Sequence, residues 1–157
     1  MKINEAFDMK GRLTLRLHNR RGELIREMAA NNDIVMTGRD LVAKLFANVP
    51  IDPISHIAVG TGATAVDPAA DQKLQSELFR KDIIPIDPAK DITPVGNKMR
   101  VIVSTELDFA EGNGALTEAA MFNSVDPGTS VMYNRVVFPP VNKTADFKLT
   151  LVWEILF

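Results

Sequence analysis

The sequence predicts a mainly β protein, an antiparallel β-sandwich of about seven strands carrying one or two short helices. Three observations lead there. Every odd position from Phe147 to the C-terminus is apolar (Phe147, Leu149, Leu151, Trp153, Ile155, Phe157), and a period of two sends successive side chains to opposite faces of a sheet. The segment Lys98–Phe109 repeats the pattern, with Met99, Val101, Val103, Thr105, Leu107 and Phe109 facing one way against Arg100, Ser104, Glu106 and Asp108. Turn signals punctuate the second half at Glu111-Gly112-Asn113-Gly114, Asp126-Pro127-Gly128 and Pro139-Pro140, spaced as short strands require.

The remaining elements follow in order. Leu13, Leu15 and Leu17 alternate with Arg12, Thr14, Arg16 and His18, a strand that turns at Asn19-Arg20-Arg21-Gly22 and returns over Glu23–Met28 as a hairpin. Asn31-Asn32-Asp33 is expected to break the pairing. Thr37 and Asp40 form a shortened capping box ahead of a helix whose stripe is Leu41, Val42, Leu45 and Phe46, ended by Asn48 and Pro50. At about ten residues such a helix must dock on a sheet to persist. Ile54–Val59 reads as a buried strand. Leu74 and Leu78 suggest a second short helix or an irregular arm, and Phe79–Ile86 an extended segment. Pro85, Pro88 and Pro94 mark a loop that cannot continue a central ladder. Ala115–Asn123, Val131–Phe138 and the terminal segment complete the strands, with Pro139-Pro140 as a stop. Residues 1–9 form an N-terminal arm and 10–157 a single domain.

Composition narrows the function. The 157 residues are 46% hydrophobic and 24% charged, with no cysteine, which removes disulfides, thiolate metal sites and thiol nucleophiles. The N-terminus has no apolar core of a signal peptide and no run spans a membrane, so folding in the cytoplasm is expected. Net charge is −2, split between residues 1–50 (9 Lys and Arg against 6 Asp and Glu) and the remainder (9 against 14); this reads first as two differently decorated solvated surfaces, with head-to-tail meeting of copies as the alternative. Neither nucleic acid nor membrane is an expected partner, since no aromatic residue interleaves with Arg12, Arg16, Arg20 and Arg21.

No catalytic, cofactor or metal site emerges. His18 and His56 read as structural, and Ser55 beside His56 as pointing to the opposite face. Gly60-Thr61-Gly62 follows a strand but lacks the Gly-Lys-Ser/Thr ending of a phosphate loop, and reads as a tight turn. Asp82, Asp87 and Asp91 lack the glycine and closing glutamate of a calcium loop. Glu106, Asp108, Glu111 and Glu118 read as a solvated sheet face rather than a glycosidase pair.

Four segments carry a family resemblance: IleSerHisIleAlaValGlyThrGly at 54–62, the spacing Leu74, Glu77, Arg80, LeuThrGluAlaAlaMetPheAsn at 116–123, and MetTyrAsnArgValValPheProProValAsnLysThr at 132–144 leading into LeuThrLeuValTrpGluIle. Their order resembles small structural proteins of tailed bacteriophages and phage-like contractile particles, over residues 10–157. The resemblance implies a non-enzymatic attachment module of a tail fibre, baseplate or collar, assembling as a homo-oligomer on a virion or phage-like particle in the bacterial cytoplasm. A full fibre protein would carry a shaft or receptor-binding tip beyond Phe157, so the resemblance does not extend to host-receptor binding. A capsid decoration protein and a carbohydrate-binding sandwich module are the alternatives; one Trp and one Tyr speak against the latter. Expected interface residues are Ile3 and Phe7 on the arm, Trp153, Leu156 and Phe157 on the terminal strand, and Arg80 and Arg135, which have Glu77, Glu118 and Glu154 as candidate partners.

Overall fold

A computed structural model describes residues 9–157. The strands are β1 (Lys10–Asn19), β2 (Leu24–Ile34), β3 (His56–Gly60), β4 (Glu77–Asp82), β5 (Ile92–Val95), β6 (Lys98–Leu107), β7 (Gly114–Phe122), β8 (Met132–Lys143) and β9 (Phe147–Leu156); the helices are α1 (Met36–Phe46) and the one-turn α2 (Pro88–Asp91). All strands join one antiparallel sheet in the order β4-β3-β7-β8-β2-β1-β9-β6-β5, curled into a half-barrel. Nine strands in a curled sheet therefore stand where about seven were expected.

The joint in this sheet is narrow. β2 pairs with β1 along most of its length, but with β8 only at Asp33↔Arg135 and Ile34↔Asn134. Farther along, the Arg26 guanidinium reaches the Pro140 carbonyl at 3.0 Å. At the other side the curl is drawn shut without a ladder: the Ile84 N–H donates to Ser104 O (2.7 Å), Thr105 Oγ1 to Asp82 O (2.8 Å) and Lys81 Nζ to Glu106 O (2.8 Å). The concave face encloses the main core, with Leu13, Leu15, Leu149, Leu151, Trp153 and Val103 opposite Ile57, Val59, Met121, Val136 and Phe138. β9 lies between β1 and β6 in the middle of its half, which buries its odd positions as their alternation requires.

Several local expectations are overturned. Asn31-Asn32-Asp33 stays inside β2 because the ladder partner of Asn32 is Gly11, where any side chain would collide with Asn32. That space lets Asn32 Oδ1 accept the Trp153 indole N–H at 2.9 Å, the partner a buried Trp needs. Pro139-Pro140 does not stop β8; the strand runs through, and its register with β7 shifts between Leu116 and Glu118, a bulge being one of the few places a strand accepts proline. Residues 69–76 form turns and bends, the irregular arm and not the helix of the two alternatives, and Leu78 lies in β4. The proline loop includes the edge strand β5, a position that tolerates Pro94, and α2, whose first turn Asp87 caps through Ala89 N.

Helix α1 also departs from its expected stripe. No side chain caps it; Val35 occupies the N-cap, and Thr37 Oγ1 instead donates to Met132 O at 2.6 Å. Gly38 and Leu41 are buried against β8, whereas Leu45 is exposed and Phe46 is 90% exposed. A Cβ at Gly38 would penetrate the Tyr133 carbonyl, so the first turn sits closer to β8 than any other residue permits. No described helix is long and apolar enough to cross a membrane.

Gly38→Ala should destabilise the protein by about 2–3 kcal/mol, because the obstructing atom is backbone. Thermal unfolding of the variant checks this; a change within about 0.5 kcal/mol, the range of neutral surface substitutions, would refute the close docking.

Candidate functional site

The strands β3 and β7 and the first half of β8 are covered on both faces. Cross-strand pairing puts Gly60 opposite Glu118, Ala58 opposite Ala120 and His56 opposite Phe122 on the convex side, and Arg80 opposite Ala58 and Arg135 opposite Ala120 beside them. The segment from Thr61 to Ser76 folds over this convex surface. Leu74 and Val66 from it pack with Val35, Ala58, Ala120, Phe122 and Met132 in a second apolar cluster. Burial on both faces explains why β7 is closed to solvent from Leu116 to Phe122 instead of alternating.

One carboxylate fastens this loop. Glu118 has no solvent-exposed surface. Its Oε1 accepts the Ser76 N–H at 2.7 Å and the Gly62 N–H at 3.1 Å, and its Oε2 accepts the Gln75 N–H at 3.0 Å and Arg135 Nε at 3.0 Å. Burying an ion costs several kcal/mol unless its lone pairs and its charge are both matched; three backbone donors and a guanidinium match both. Arg135, 2% exposed, spends its other nitrogens on Asp71 Oδ2 (3.0 Å) and Thr64 O (3.1 Å), so it clamps the loop at two further points. Thr117 Oγ1 donates to Gly62 O at 2.7 Å. A Cβ on Gly60 or Gly62 would come within 2.7 and 2.6 Å of Glu118 Oε1, which is why glycine occupies both positions. From the Gly60-Thr61-Gly62 turn only the Gly62 N–H reaches this carboxylate, while the Thr61 N–H donates to Ser76 O at 3.0 Å.

Neighbouring motif residues act the same way. Arg80 stacks over the Phe122 ring at 3.8 Å, pairs with Glu77 at 2.6 Å, and reaches Ser124 O and Ser130 Oγ at 2.9 Å each. Lys143, 1% exposed, is held by oxygens of the turn between β6 and β7. Burial pulls its pKa below the usual lysine value, and the charges of Asp108 and Glu111 oppose that pull. In the same turn, the hydrogen bond from Lys81, then that from the Asp108 N–H, holds the Glu111 carboxyl below its ordinary value. A cleft of about 710 Å³ borders the fastened loop, with Asp71, Lys73, Leu74, Met132 and Arg135 in its wall.

Sequence expectations fall unevenly on this geometry. The pairs Arg80–Glu77 and Arg135–Glu118 are present, but both arginines lie inside the subunit. Trp153 is fully buried in the main core, so it offers no contact surface in this fold. Leu156 is half-buried, Phe157 is 48% exposed, and Ile3 and Phe7 lie outside the described residues. Glu118 belongs to no solvated face, unlike Glu106, which pairs with Lys148 at 3.3 Å. Ser55 does touch its neighbour: it precedes β3, and its Oγ lies 2.8 Å from His56 Nδ1 while His56 Nε2 meets Asp82 at 2.7 Å. Asp82 is 85% exposed and the Ser55 N–H is spent on Phe122 O, an arrangement that orients the imidazole without providing an oxyanion site of its own. The arginine strip is engaged locally, Arg16 with Glu27 at 2.7 Å, Arg21 with Glu23 at 3.1 Å and Arg20 over Phe109 at 4.3 Å. Among the described residues no His, Asp and Glu cluster is arranged to hold a metal. Comparison with family models, curated proteins and solved structures yields no match.

Two outcomes follow from this geometry. Glu118→Ala leaves three N–H groups without an acceptor and Arg135 with Asp71 as its remaining carboxylate, and should cost about 3–5 kcal/mol; hydrogen exchange should rise first across 61–76, and retained protection there would refute the fastening role. Because the folded pKa of Glu111 is depressed, its contribution is present above its ordinary 4.5 and is lost as pH falls through the lower folded value. Acidification below that point should therefore loosen the 108–113 turn, read by amide chemical shifts, and Glu111→Gln should flatten the response.

Proposed function

We propose that the chain is a non-enzymatic structural protein of a tailed bacteriophage or phage-like contractile particle, a homo-oligomer that attaches a fibre, baseplate or collar component. In this reading the two halves of the curled sheet serve as the leaves of a sandwich-like block, and the activity is geometric. One observation carries it: the apolar concave face continues beyond the closed core as an uncovered strip. Val101 and Ile155 pair within the core region, and one step along the same face Met99 pairs with Phe157 by two backbone bonds of 2.9 and 3.1 Å. Met99, Phe157 and Ile92 opposite Val101 are all exposed.

An apolar rim adjoining a finished core favours burial by another chain. The residues of the four resembling segments support the same reading from the other side. Gly60, Gly62, Glu118, Arg135 and Lys143 are spent on internal fastening, which a scaffold needs and a reactive centre does not. The single Trp is buried, which leaves no indole to stack on a sugar and disfavours the carbohydrate-binding alternative. In the proposed assembly Leu156, Phe157 and the arm residues Ile3 and Phe7 meet a neighbouring copy.

Deleting Leu156 and Phe157 should reduce assembly, measured by sedimentation velocity, far more than it lowers the melting temperature. Equal losses would place both residues in the subunit core and remove the interface from the reading.

A further inference from the structure

Lys143 and the Asn-Gly pair beside it make a chemical site distinct from the fastened loop. The Lys143 ammonium donates to Asp108 O and Asn113 Oδ1 at 2.8 Å, Thr144 O at 3.2 Å and Phe109 O at 3.3 Å. All four acceptors are neutral, although a buried charge is best matched by an opposite one. The only side-chain oxygen among them belongs to an amide. Asn113 is itself exposed to water, its Nδ2 donates to Phe109 O at 3.1 Å, and it is followed by Gly114, whose Cα bears no side chain to hinder approach of its nitrogen to Asn113 Cγ.

We propose that Asn113 is a self-modification site, at which Lys143 promotes deamidation and the resulting carboxylate becomes a directly bonded counter-ion. The Gly114 nitrogen loses its proton to solvent base and bonds to Asn113 Cγ, sending negative charge onto Oδ1, the atom that Lys143 already contacts. A donor aimed at the oxygen where charge develops lowers the barrier to that addition. Collapse breaks the Cγ–Nδ2 bond and expels ammonia, protonated by solvent, leaving a cyclic imide. Water then opens the imide at one of its two carbonyls, giving aspartate or isoaspartate, with no change in oxidation state. Opening to aspartate replaces a neutral acceptor of the buried ammonium with a charged one, a shorter and stronger bond. The product ties the β6–β7 turn more tightly to the end of β8. This site stands independently of the proposed assembly role.

The test follows the full-length protein at mildly alkaline pH by peptide mass mapping. Asn113 should gain about one mass unit, and Lys143→Met should slow the gain by about ten-fold or more. If Lys143 only clamps the turn, its removal loosens the turn and speeds the reaction, so an equal or faster rate overturns the proposal. Asn113→Asp examines the product without depending on that variant's stability: its melting temperature should exceed that of freshly prepared wild type, and an unchanged or lower value overturns the pairing. A folded wild-type chain that stays unmodified while the free peptide of the same residues converts overturns it as well.

Discussion

A carboxylate with no access to water has to be neutralised where it lies, and the convex half of this protein is organised around that demand. Glu118 draws in the N–H groups of Gly62, Gln75 and Ser76 and the guanidinium of Arg135. Those donors come from both ends of one loop and from the adjacent strand. The loop therefore cannot lift without stripping Glu118 of three backbone donors and Arg135 of Asp71 and Thr64, and its apolar residues Val66 and Leu74 stay on the sheet. Close approach comes with the same bargain, which is why Gly60 and Gly62 carry no side chain. The net stability of such a buried pair is small compared with the cost of breaking it, so its main consequence is a unique loop position.

The half-barrel and its coverings divide the labour. The concave face supplies the bulk of hydrophobic burial through residues of β1, β6, β9, β3, β7 and β8, at about 25 cal/mol per Å² of apolar area. The convex face of β3, β7 and β8 is roofed by the loop and by the first turn of α1. Apolar surface left uncovered among the described residues includes the C-terminal turn of α1 with Leu45 and Phe46, Leu24 and Ile25 at the start of β2, and the rim with Ile92, Met99 and Phe157. A rigid block with fastened loops and apolar surface outside its core is suited to be held by neighbours, which is the sense of the proposed structural role.

Part of the site was legible in the chain. The spacing of Leu74, Glu77 and Arg80 and the candidate pairing of Arg135 with Glu118 correspond to real contacts. Alternation nonetheless groups Glu118 with Glu106, Asp108 and Glu111 on one solvated face. Period two places a residue on a side of the sheet, but it does not say whether a distant loop roofs that side. Ser55 and His56 failed for the converse reason: the alternation argument assumes both residues are in the strand, and β3 begins only at His56. A usable signal was the company of Glu118, an isolated acid within the apolar run Ala115–Phe122, where burial forces a partner.

Alone, the sequence determined the β character, the hairpin of β1 and β2, the long alternating β6 and β9, and the faces their side chains present, because each depends on a period within a few residues. Tertiary structure decided which faces are doubly covered and that β9 is flanked by β1 and β6. It also decided that β2 passes through Asn31-Asn32-Asp33, that β8 passes through Pro139-Pro140, and that Phe46 lies outside while Trp153 lies inside. Those outcomes rest on contacts between segments far apart in the chain, Gly11 with Asn32, Gly38 with Tyr133 and Glu118 with Gly62. Local periodicity carries no information about which distant backbone will arrive to fill, or to require, the space.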